Sequence, residues 1–218
     1  MGKFIVIDGL DGSGKETQSK LLINYLAAKG VKTRYLSFPV YESDSSLFVR
    51  KYLNGELGGR PEDTNAYAAS TFFACDRYLS YRTDWKKDID DPGMVVIANR
   101  YTTANAVHQL SKLGRTEWDG FLSWLWDYEF SKLGLPAPDS VIYLEMTPEI
   151  SHRLIKSRGR ETDIHESTAG FLERSYEAAV YASEHLGWNR IRCYNGSEPL
   201  TRDEIHGKIL DVLNLGEI

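Results

Sequence analysis

The fold of this chain is decided by one stretch near its start, Gly9-Leu10-Asp11-Gly12-Ser13-Gly14-Lys15-Glu16-Thr17. It follows a short apolar run at residues 3–8 and leads into a segment with helical spacing. A G-x-x-x-x-G-K sequence between a strand and a helix is typical of a loop that binds phosphate groups. Glycines let backbone N–H groups converge on phosphate oxygens, and the helix N-terminus adds partial positive charge. The alternative is a glycine-rich turn that only begins a helix.

The same loop supplies the candidate nucleotide-binding residues. They are Gly9, Asp11, Gly12, Ser13, Gly14, Lys15, Glu16 and Thr17. The Lys15 ammonium would contact the β- and γ-phosphates. One position departs from the motif, because a Ser or Thr whose hydroxyl binds Mg²⁺ is expected after the lysine and this chain has Glu16 there. A carboxylate is also an oxygen ligand for Mg²⁺, although it brings negative charge close to a triphosphate.

Five short apolar runs and the longer segments between them predict the architecture. The runs, predicted as strands, are residues 3–8, 33–38, 94–98, 140–145 and 190–194. The segments with helical spacing are residues 15–29, 45–55, 63–87, 116–133, 148–158, 169–186 and 202–213. Nearly all-apolar strands that alternate with helices predict an α/β fold with a five-stranded parallel sheet flanked by helices on both faces. Combined with the phosphate loop, this pattern indicates a three-layer sandwich of the P-loop NTPase type. With no repeat or long linker, residues 1–218 are predicted to form a single domain.

Composition limits the partners and location that we expect. The 218 residues include 26 Lys and Arg against 31 Asp and Glu, so the formal net charge is −5. Proteins that coat nucleic acids or bind anionic membranes normally need a broad basic surface, so neither partner is expected. Cys75 and Cys193 lie far apart and suggest no disulfide framework, and no signal peptide or membrane span is recognised. These features predict a cytoplasmic protein.

Two further places carry candidates for binding a second ligand. Phe73 and Arg77 lie one turn apart on the predicted helix 63–87, where a ring and a guanidinium could bind a nucleobase. The alternative is a half-buried helix in which Phe73 packs in the core and Arg77 extends to solvent. Arg100 comes soon after the strand 94–98, at the edge of the sheet where ligands bind. The alternative interpretation is that Arg100 is a solvent-exposed arginine at the end of a strand.

Five motifs together resemble those of the thymidylate kinase family, in the same order over nearly the whole chain. They are GLDGSGKETQ, FPVY, STFFACDRYLS, NRYTTANAVHQ and TPEISHRLIKSRGRETDIHE. The resemblance implies a P-loop nucleoside-monophosphate kinase that transfers the ATP γ-phosphoryl group to dTMP in dTTP synthesis, with Mg²⁺ as cofactor. It also implies a homodimer whose other partners are small-molecule nucleotides.

The resemblance assigns roles to the residues of an acceptor site. That set is Asp11, Phe38, Phe73, Arg77, Arg100, Asn105 and His108. By resemblance, Phe73 would stack on thymine, and Arg77 and Asn105 would bind the acceptor base. Arg100 would hold the acceptor phosphate, and Asp11 would approach the deoxyribose or the metal.

Three positions differ from residues found in the family. His108 stands where some members have a tyrosine that crowds the 2′ position of the sugar, so it would favour deoxyribose. Val40 replaces an arginine, which removes one acceptor-phosphate contact. Asn99 replaces the aspartate of an Asp-Arg-Tyr motif and loses its charge near Mg²⁺. Either Glu16 compensates, which makes Glu16 and Asn99 the candidate metal residues, directly or through water, or both departures mark an inactive site.

A short lid is predicted at about residues 157–168. Arg158 and Arg160 would close over the transferring phosphoryl group, whereas Arg153 and Lys156 fit a solvated helix face. The candidate catalytic residues are therefore Lys15, Arg100, Arg158, Arg160 and Asp11.

Two questions stay open at the level of sequence. The helix 116–133 is apolar over most of its circumference, so it is either buried in the core or offered as a dimer face. The departures at Glu16 and Asn99 also leave alternative functions, a catalytically weak nucleotide-binding paralogue or a kinase for another deoxynucleotide or nucleoside.

Overall fold

A central parallel sheet organises the computed structural model, which describes residues 2–157, 164–168 and 170–215. Its strands are β1 (Lys3–Gly9), β2 (Lys32–Ser37), β3 (Met94–Asn99), β4 (Ser140–Glu145) and β5 (Asn189–Arg192). Their order across the sheet is β2-β3-β1-β4-β5, and every neighbouring pair is parallel. A two-stranded antiparallel pair, β6 (Tyr194–Asn195) and β7 (Glu198–Pro199), follows. The predicted five-stranded parallel sheet is confirmed.

Ten α-helices surround this sheet in the described part of the chain. They are α1 (Lys15–Ala28), α2 (Leu47–Leu53), α3 (Ala66–Ser80), α4 (Lys86–Asp90), α5 (Thr102–His108), α6 (Trp118–Trp126), α7 (Pro148–Lys156), α8 (Ile164–Ser167), α9 (Phe171–His185) and α10 (Arg202–Val212). π-helical turns at Tyr81–Trp85 and Asp127–Lys132 extend α3 and α6. The predicted helix 63–87 begins later than expected, at Ala66, because the Asn65 side chain caps it by accepting a hydrogen bond from the Ala68 amide. Helices α5 and α8 were not predicted.

The two larger clusters of the core form layers, one on each face of the sheet. Alternate residues of β1 point to opposite faces, as the two-residue period of a strand requires. Phe4 and Val6 pack in the layer that contains Trp85 of the π-helical turn after α3. Ile5 and Ile7 pack in the other layer, which contains Leu22 of α1. Helices therefore cover both faces, and the open edge for a ligand lies at the strand ends.

Helix α6 shows by its position that the apolar segment 116–133 is mainly buried in the core rather than offered as a dimer face. Its side chains Trp118, Phe121, Leu122 and Leu125 are buried, and they belong mainly to the core. Large exposed apolar side chains lie instead on α2 and α3, at Leu47, Phe48, Tyr78 and Leu79. Across the described ranges, the structure contains no helix with both the length and the apolarity needed to cross a membrane.

Candidate active site

The glycine-rich loop between β1 and α1 forms one wall of an open cleft of about 500 Å³ at the carboxyl edge of the sheet. Gly14 caps α1 with a left-handed φ of 89°, and Gly12 has the same φ. A Cβ on Gly12 would approach the Ser151 carbonyl oxygen to 2.9 Å, so a larger residue does not fit. Of the predicted loop residues, Asp11, Gly12, Gly14, Lys15, Glu16 and Thr17 line the cleft, whereas Gly9 and Ser13 are buried beneath it.

Lys15, Asp11 and Arg100 form a charged cluster in this cleft. Lys15 Nζ donates to the carbonyl oxygens of Gly9 and Leu10, each at 2.8 Å, and lies 3.6 Å from Asp11 Oδ1. Arg100 Nη2 donates to the same Asp11 oxygen. Burial alone would raise the pKa of Asp11, but Arg100 and Lys15 outweigh it and hold that pKa well below its usual range. Burial lowers the pKa of Lys15 to about 8, against the attraction of Asp11.

Arg100 occupies a strained backbone conformation directly after β3. Its φ is 64°, a value rare for residues other than glycine, and its amide donates to the Ile7 carbonyl at 3.1 Å. Such strain costs about 1–3 kcal/mol and concentrates at functional sites. The conformation aims the side chain into the cleft, as the position after the strand predicted.

A second, narrower pocket adjoins the first and shares Arg100 with it. It is lined by six of the seven predicted acceptor residues, Phe38, Phe73, Arg77, Arg100, Asn105 and His108. The seventh, Asp11, lies in the neighbouring cleft. The structure therefore brings together residues that are up to 70 positions apart in the sequence (108 − 38 = 70).

Arg77 does not extend to solvent, and that alternative is wrong. The residue is 1% exposed, and its Nε and Nη2 atoms donate to the two carboxylate oxygens of Glu129 at 2.7 and 2.5 Å. Thr102 Oγ1 and Asn105 Nδ2 also donate to Glu129, at 2.7 and 3.3 Å. Glu129 thus fixes three polar side chains at one end of the pocket, including two candidate acceptor-binding residues.

Sequence reasoning did not identify Glu129, Arg202 or His165 as site residues. Glu129 lies in a strongly apolar segment that also contains the carboxylates Asp119 and Asp127, so no signal in the sequence marks Glu129 as the buried one. Arg202 begins α10 and lines the larger cleft beside the phosphate loop. His165 of α8 lines the second pocket beside Phe73 and Arg77.

The candidate metal residues Glu16 and Asn99 line the same cleft. Asn99 Nδ2 donates to Ser37 Oγ at 3.2 Å, and the Asn99 Oδ1 atom is buried with no hydrogen-bond partner among the described residues. Glu16 Oε1 pairs with Lys20 at 2.5 Å on the rim. Among the residues that the structure describes, no group of three or more His, Cys, Asp or Glu side chains is placed to hold a metal ion.

The arginines of the predicted lid, Arg158 and Arg160, lie outside the described residues. Lys156 and Arg153 are exposed, and Arg153 pairs with Glu198 at 3.1 Å. Both residues therefore lie on a solvated face, as expected.

The phosphate loop lies at the carboxyl edge of a parallel sheet, and a second pocket beside the cleft shares Arg100 with it. This combination defines the class of protein. The fold and this site are those of a P-loop kinase that binds nucleotides.

Comparisons with known proteins identify the family within that class. Residues 7–200 match the family model described as thymidylate kinase. The thymidylate kinase of Mycobacterium tuberculosis is 32% identical over 191 residues, 84% of this chain and 86% of the relative. A probable thymidylate kinase of Pyrococcus horikoshii is 30% identical over 162 residues, 74% of each chain. The chain belongs to the thymidylate kinase family and is therefore a nucleoside-monophosphate kinase.

A solved structure supports the fold independently of close sequence similarity. The thymidylate kinase of Candida albicans superposes with a TM-score of 0.71 at 18% identity, and the match covers 99% of this chain and 92% of the other. The predicted P-loop NTPase architecture is confirmed.

Proposed function

We propose that this chain transfers the γ-phosphoryl group of ATP to dTMP and so forms dTDP and ADP for dTTP synthesis. The observation that carries the proposal is that Arg100 lines both pockets, with the phosphate loop on one side and Phe73, Arg77 and Asn105 on the other. A donor phosphate and an acceptor phosphate bound in these pockets would meet at this guanidinium. Family membership supports the acceptor, because the relatives are named thymidylate kinases.

The proposed mechanism is positioning combined with charge neutralisation. An oxygen of the acceptor phosphate attacks the γ-phosphorus as the bond to ADP breaks, and no covalent enzyme intermediate is needed. Lys15 and the loop amides would hold the donor phosphates. Arg100 would hold the acceptor phosphate, and Asp11 would keep Arg100 and Lys15 in place. Arg158 and Arg160 are proposed to neutralise the moving phosphoryl group.

Mg²⁺ is proposed as the cofactor, with Glu16 and Asn99 near it. The buried, unpartnered Asn99 Oδ1 and the Glu16 carboxylate are oxygen donors on one cleft, which fits the ligand preference of this ion. Mg²⁺ usually binds substrate phosphates and only one or two protein groups, so a larger protein cluster is not required. When bound, the ion would neutralise charge on the phosphates.

A coupled assay tests the proposed reaction. Purified protein with ATP and Mg²⁺ is given dTMP, other deoxynucleoside monophosphates and nucleosides, and ADP release is measured. We expect dTMP to give the highest kcat/KM. Turnover on no acceptor would favour the alternative of a nucleotide-binding paralogue, and faster turnover on another base would change the acceptor.

The Asn99→Asp variant tests the compensation between Glu16 and Asn99. If Glu16 compensates, the wild type is active with Mg²⁺, and the extra carboxylate of the variant gives no large increase in kcat. An inactive wild type that Asn99→Asp rescues would contradict compensation. The dependence of kcat on Mg²⁺ concentration is measured for both proteins.

The proposal also covers organisation and partners. Residues 1–218 are proposed to act as one P-loop kinase domain with a lid at about 157–168, on the ground that one sheet takes strands from Lys3 to Arg192. The net charge of −5 supports small nucleotides rather than nucleic acid or membrane as partners, and the sequence arguments favour the cytoplasm.

A homodimer is proposed from an apolar surface on α2 and α3. Phe48, which is 54% exposed, stacks on Phe72 at a centroid distance of 5.6 Å, and Leu47 and Leu79 are also exposed. Phe72 and Leu79 lie seven residues apart on α3 and so share a face. Exposed apolar side chains grouped on two neighbouring helices often mark a protein interface. We name this set, Leu47, Phe48, Phe72 and Leu79, the α2–α3 patch.

A further inference from the structure

Asp76 of α3 is a buried carboxylate that the proposed mechanism leaves without a role. It directly precedes Arg77 and is 0% exposed. Its Oδ2 atom accepts a hydrogen bond from the Val40 backbone amide at 2.9 Å, and its Oδ1 atom accepts one from Ser45 Oγ at 2.5 Å. Neither donor carries a charge, so these two bonds have to offset the cost of removing a carboxylate from water. Asp76 therefore concentrates two charge-assisted hydrogen bonds on one short segment of the chain.

Val40 belongs to a stretch of backbone that has just left the sheet. The Phe38 amide still donates to the Asn99 carbonyl of β3, at 3.1 Å. Pro39 has no N–H group, so the next backbone donor after Phe38 is the amide of Val40. A backbone donor in the interior needs a partner, and Asp76 supplies it. The carboxylate thus fixes the chain at the point where the sheet no longer does.

The stretch that Asp76 fixes lines both pockets. Phe38 and Pro39 line the larger cleft and also the acceptor pocket, and Tyr41 lines the larger cleft. We call residues 38–41 the shared wall. Because Val40 lies in the middle of this wall, the Asp76 contact holds it between the residues that face the pockets.

A second helix holds the far end of the shared wall. Arg50 Nη1, from α2, donates to the carbonyl oxygens of Tyr41 and Ser43 at 2.6 and 2.8 Å. The wall is therefore tied to α2 by Arg50 and to α3 by Asp76. Since α3 also supplies Arg77 to the acceptor pocket, the Asp76 contact links the wall to the helix that carries a proposed base-binding residue.

We propose that Asp76 is a positioning residue for the acceptor, because it keeps the shared wall in register with Arg77 so that the acceptor fits between them. The inference rests on the proposed function. The acceptor pocket is narrow, so a small displacement of its wall would move the acceptor phosphate away from Arg100. Lys15 is held by carbonyl oxygens of its own loop, so donor binding should depend little on Asp76.

Two substitutions of Asp76 test this role. Asp76→Ala removes both contacts, so we expect the KM for dTMP to rise about tenfold. The Kd for ATP, measured by calorimetry without acceptor, should change less than about twofold. Asp76→Asn keeps an oxygen for the Val40 amide and an NH₂ group for the Ser45 hydroxyl, which can also accept, so its KM for dTMP should stay within about threefold of wild type. A smaller folded fraction would lower the apparent kcat but would leave KM and Kd unchanged.

Ser45→Ala provides a milder variant in case Asp76→Ala does not fold. Ser45 lies half-buried in the short turn Asp44–Ser46, and the substitution removes only one of the two contacts. We expect the KM for dTMP to rise about threefold. In an Asp76→Ala background the same substitution should add nothing, because its partner is already gone.

Asp139→Ala is the matched control. Asp139 also accepts from a backbone amide far away in the sequence, that of Phe4 at 2.7 Å, but it lies directly before β4, at the amino edge of the sheet. Its loss should lower the free energy of unfolding and leave the KM for dTMP unchanged.

The outcomes separate this inference from the proposed function. A wild type without turnover on dTMP overturns the proposed function, and the inference with it. An active wild type whose KM for dTMP is unaffected by Ser45→Ala and by Asp76→Ala overturns the inference alone. Equal rises in the KM for dTMP and the Kd for ATP would show a general structural role. An Asp76→Asn enzyme as impaired as Asp76→Ala would assign the effect to the charge rather than to the two contacts. Either of these results would also overturn the inference.

Discussion

At the residue scale, the buried ion pair between Arg77 and Glu129 carries the largest predicted effect on stability. Both side chains are almost fully inaccessible, and each guanidinium bond reaches a separate carboxylate oxygen. Glu129→Gln would leave the Arg77 charge buried without its counter-charge. We expect the free energy of unfolding to fall by about 3–5 kcal/mol, measured by urea denaturation at neutral pH.

A surface pair provides the control for that measurement. Lys132 and Asp127 are 3.2 Å apart and mostly exposed, so Asp127→Asn should cost less than about 1 kcal/mol. Equal losses in Glu129→Gln and Asp127→Asn would show that the buried pair has no special importance for stability.

Lys112 gives a prediction about pH. Its ammonium lies 4.6 Å from the Tyr52 ring centroid and donates to the Thr64 carbonyl, and burial lowers its pKa to about 7, against the attraction of Glu62. In the unfolded chain a lysine titrates near pH 10.4. Between about pH 7 and about pH 10 the unfolded chain therefore binds more protons than the folded protein does. Lys112 consequently makes the free energy of unfolding rise with pH.

The Lys112→Met variant checks the sign of this effect. It removes the buried charge, so it should be more stable than the wild type near pH 7, and the difference should shrink as the pH rises towards about 9.5. Thermal melting at several pH values in this range measures the trend. Lys132→Met, at an exposed site, should show no such trend, and a Lys112→Met difference that grows with pH would contradict the prediction.

At the element scale, α10 depends on its capping box. Thr201 Oγ1 accepts from the Glu204 amide at 3.2 Å, and Glu204 Oε2 accepts from the Thr201 amide at 2.7 Å. Thr201→Ala should lower the free energy of unfolding by about 1 kcal/mol, as seen in chemical denaturation. Thr116→Ala, at an exposed turn outside the α-helices, should stay within about 0.5 kcal/mol of wild type.

How well the sequence predicts each helix or strand depends on which side chains that element buries. The strands agree with prediction to within one or two residues. The three central strands β1, β3 and β4 are short apolar runs because both of their faces are covered, whereas the edge strands β2 and β5 carry polar, exposed residues. Helix α5 was missed because it buries Thr102, Thr103, Asn105 and His108 against polar partners and a pocket, so it has no apolar period. The Arg77–Glu129 pair joins residues 52 positions apart, and no local pattern connects them.

At the scale of the whole molecule, the α2–α3 patch predicts the state of assembly. Phe48→Glu would place a charge in the proposed apolar interface, where its desolvation is costly, so the variant should sediment as a monomer while the wild type sediments as a dimer. Val212→Glu, at an exposed apolar position on α10, is the matched control and should remain dimeric. A Phe48→Glu protein that stays dimeric would place the interface elsewhere.

The Asp11 carboxylate has a consequence for how the two substrates influence each other. One of its oxygens attracts both Lys15, proposed to hold the donor, and Arg100, proposed to hold the acceptor. A bound phosphate that draws one of these cations away from Asp11 changes the electrostatic potential at the other cation. Each substrate would therefore alter the affinity of the site for the other substrate. Thermodynamic linkage makes that influence equal in both directions, whichever substrate binds first. If both proposed roles hold, a single shared anion would couple the two pockets.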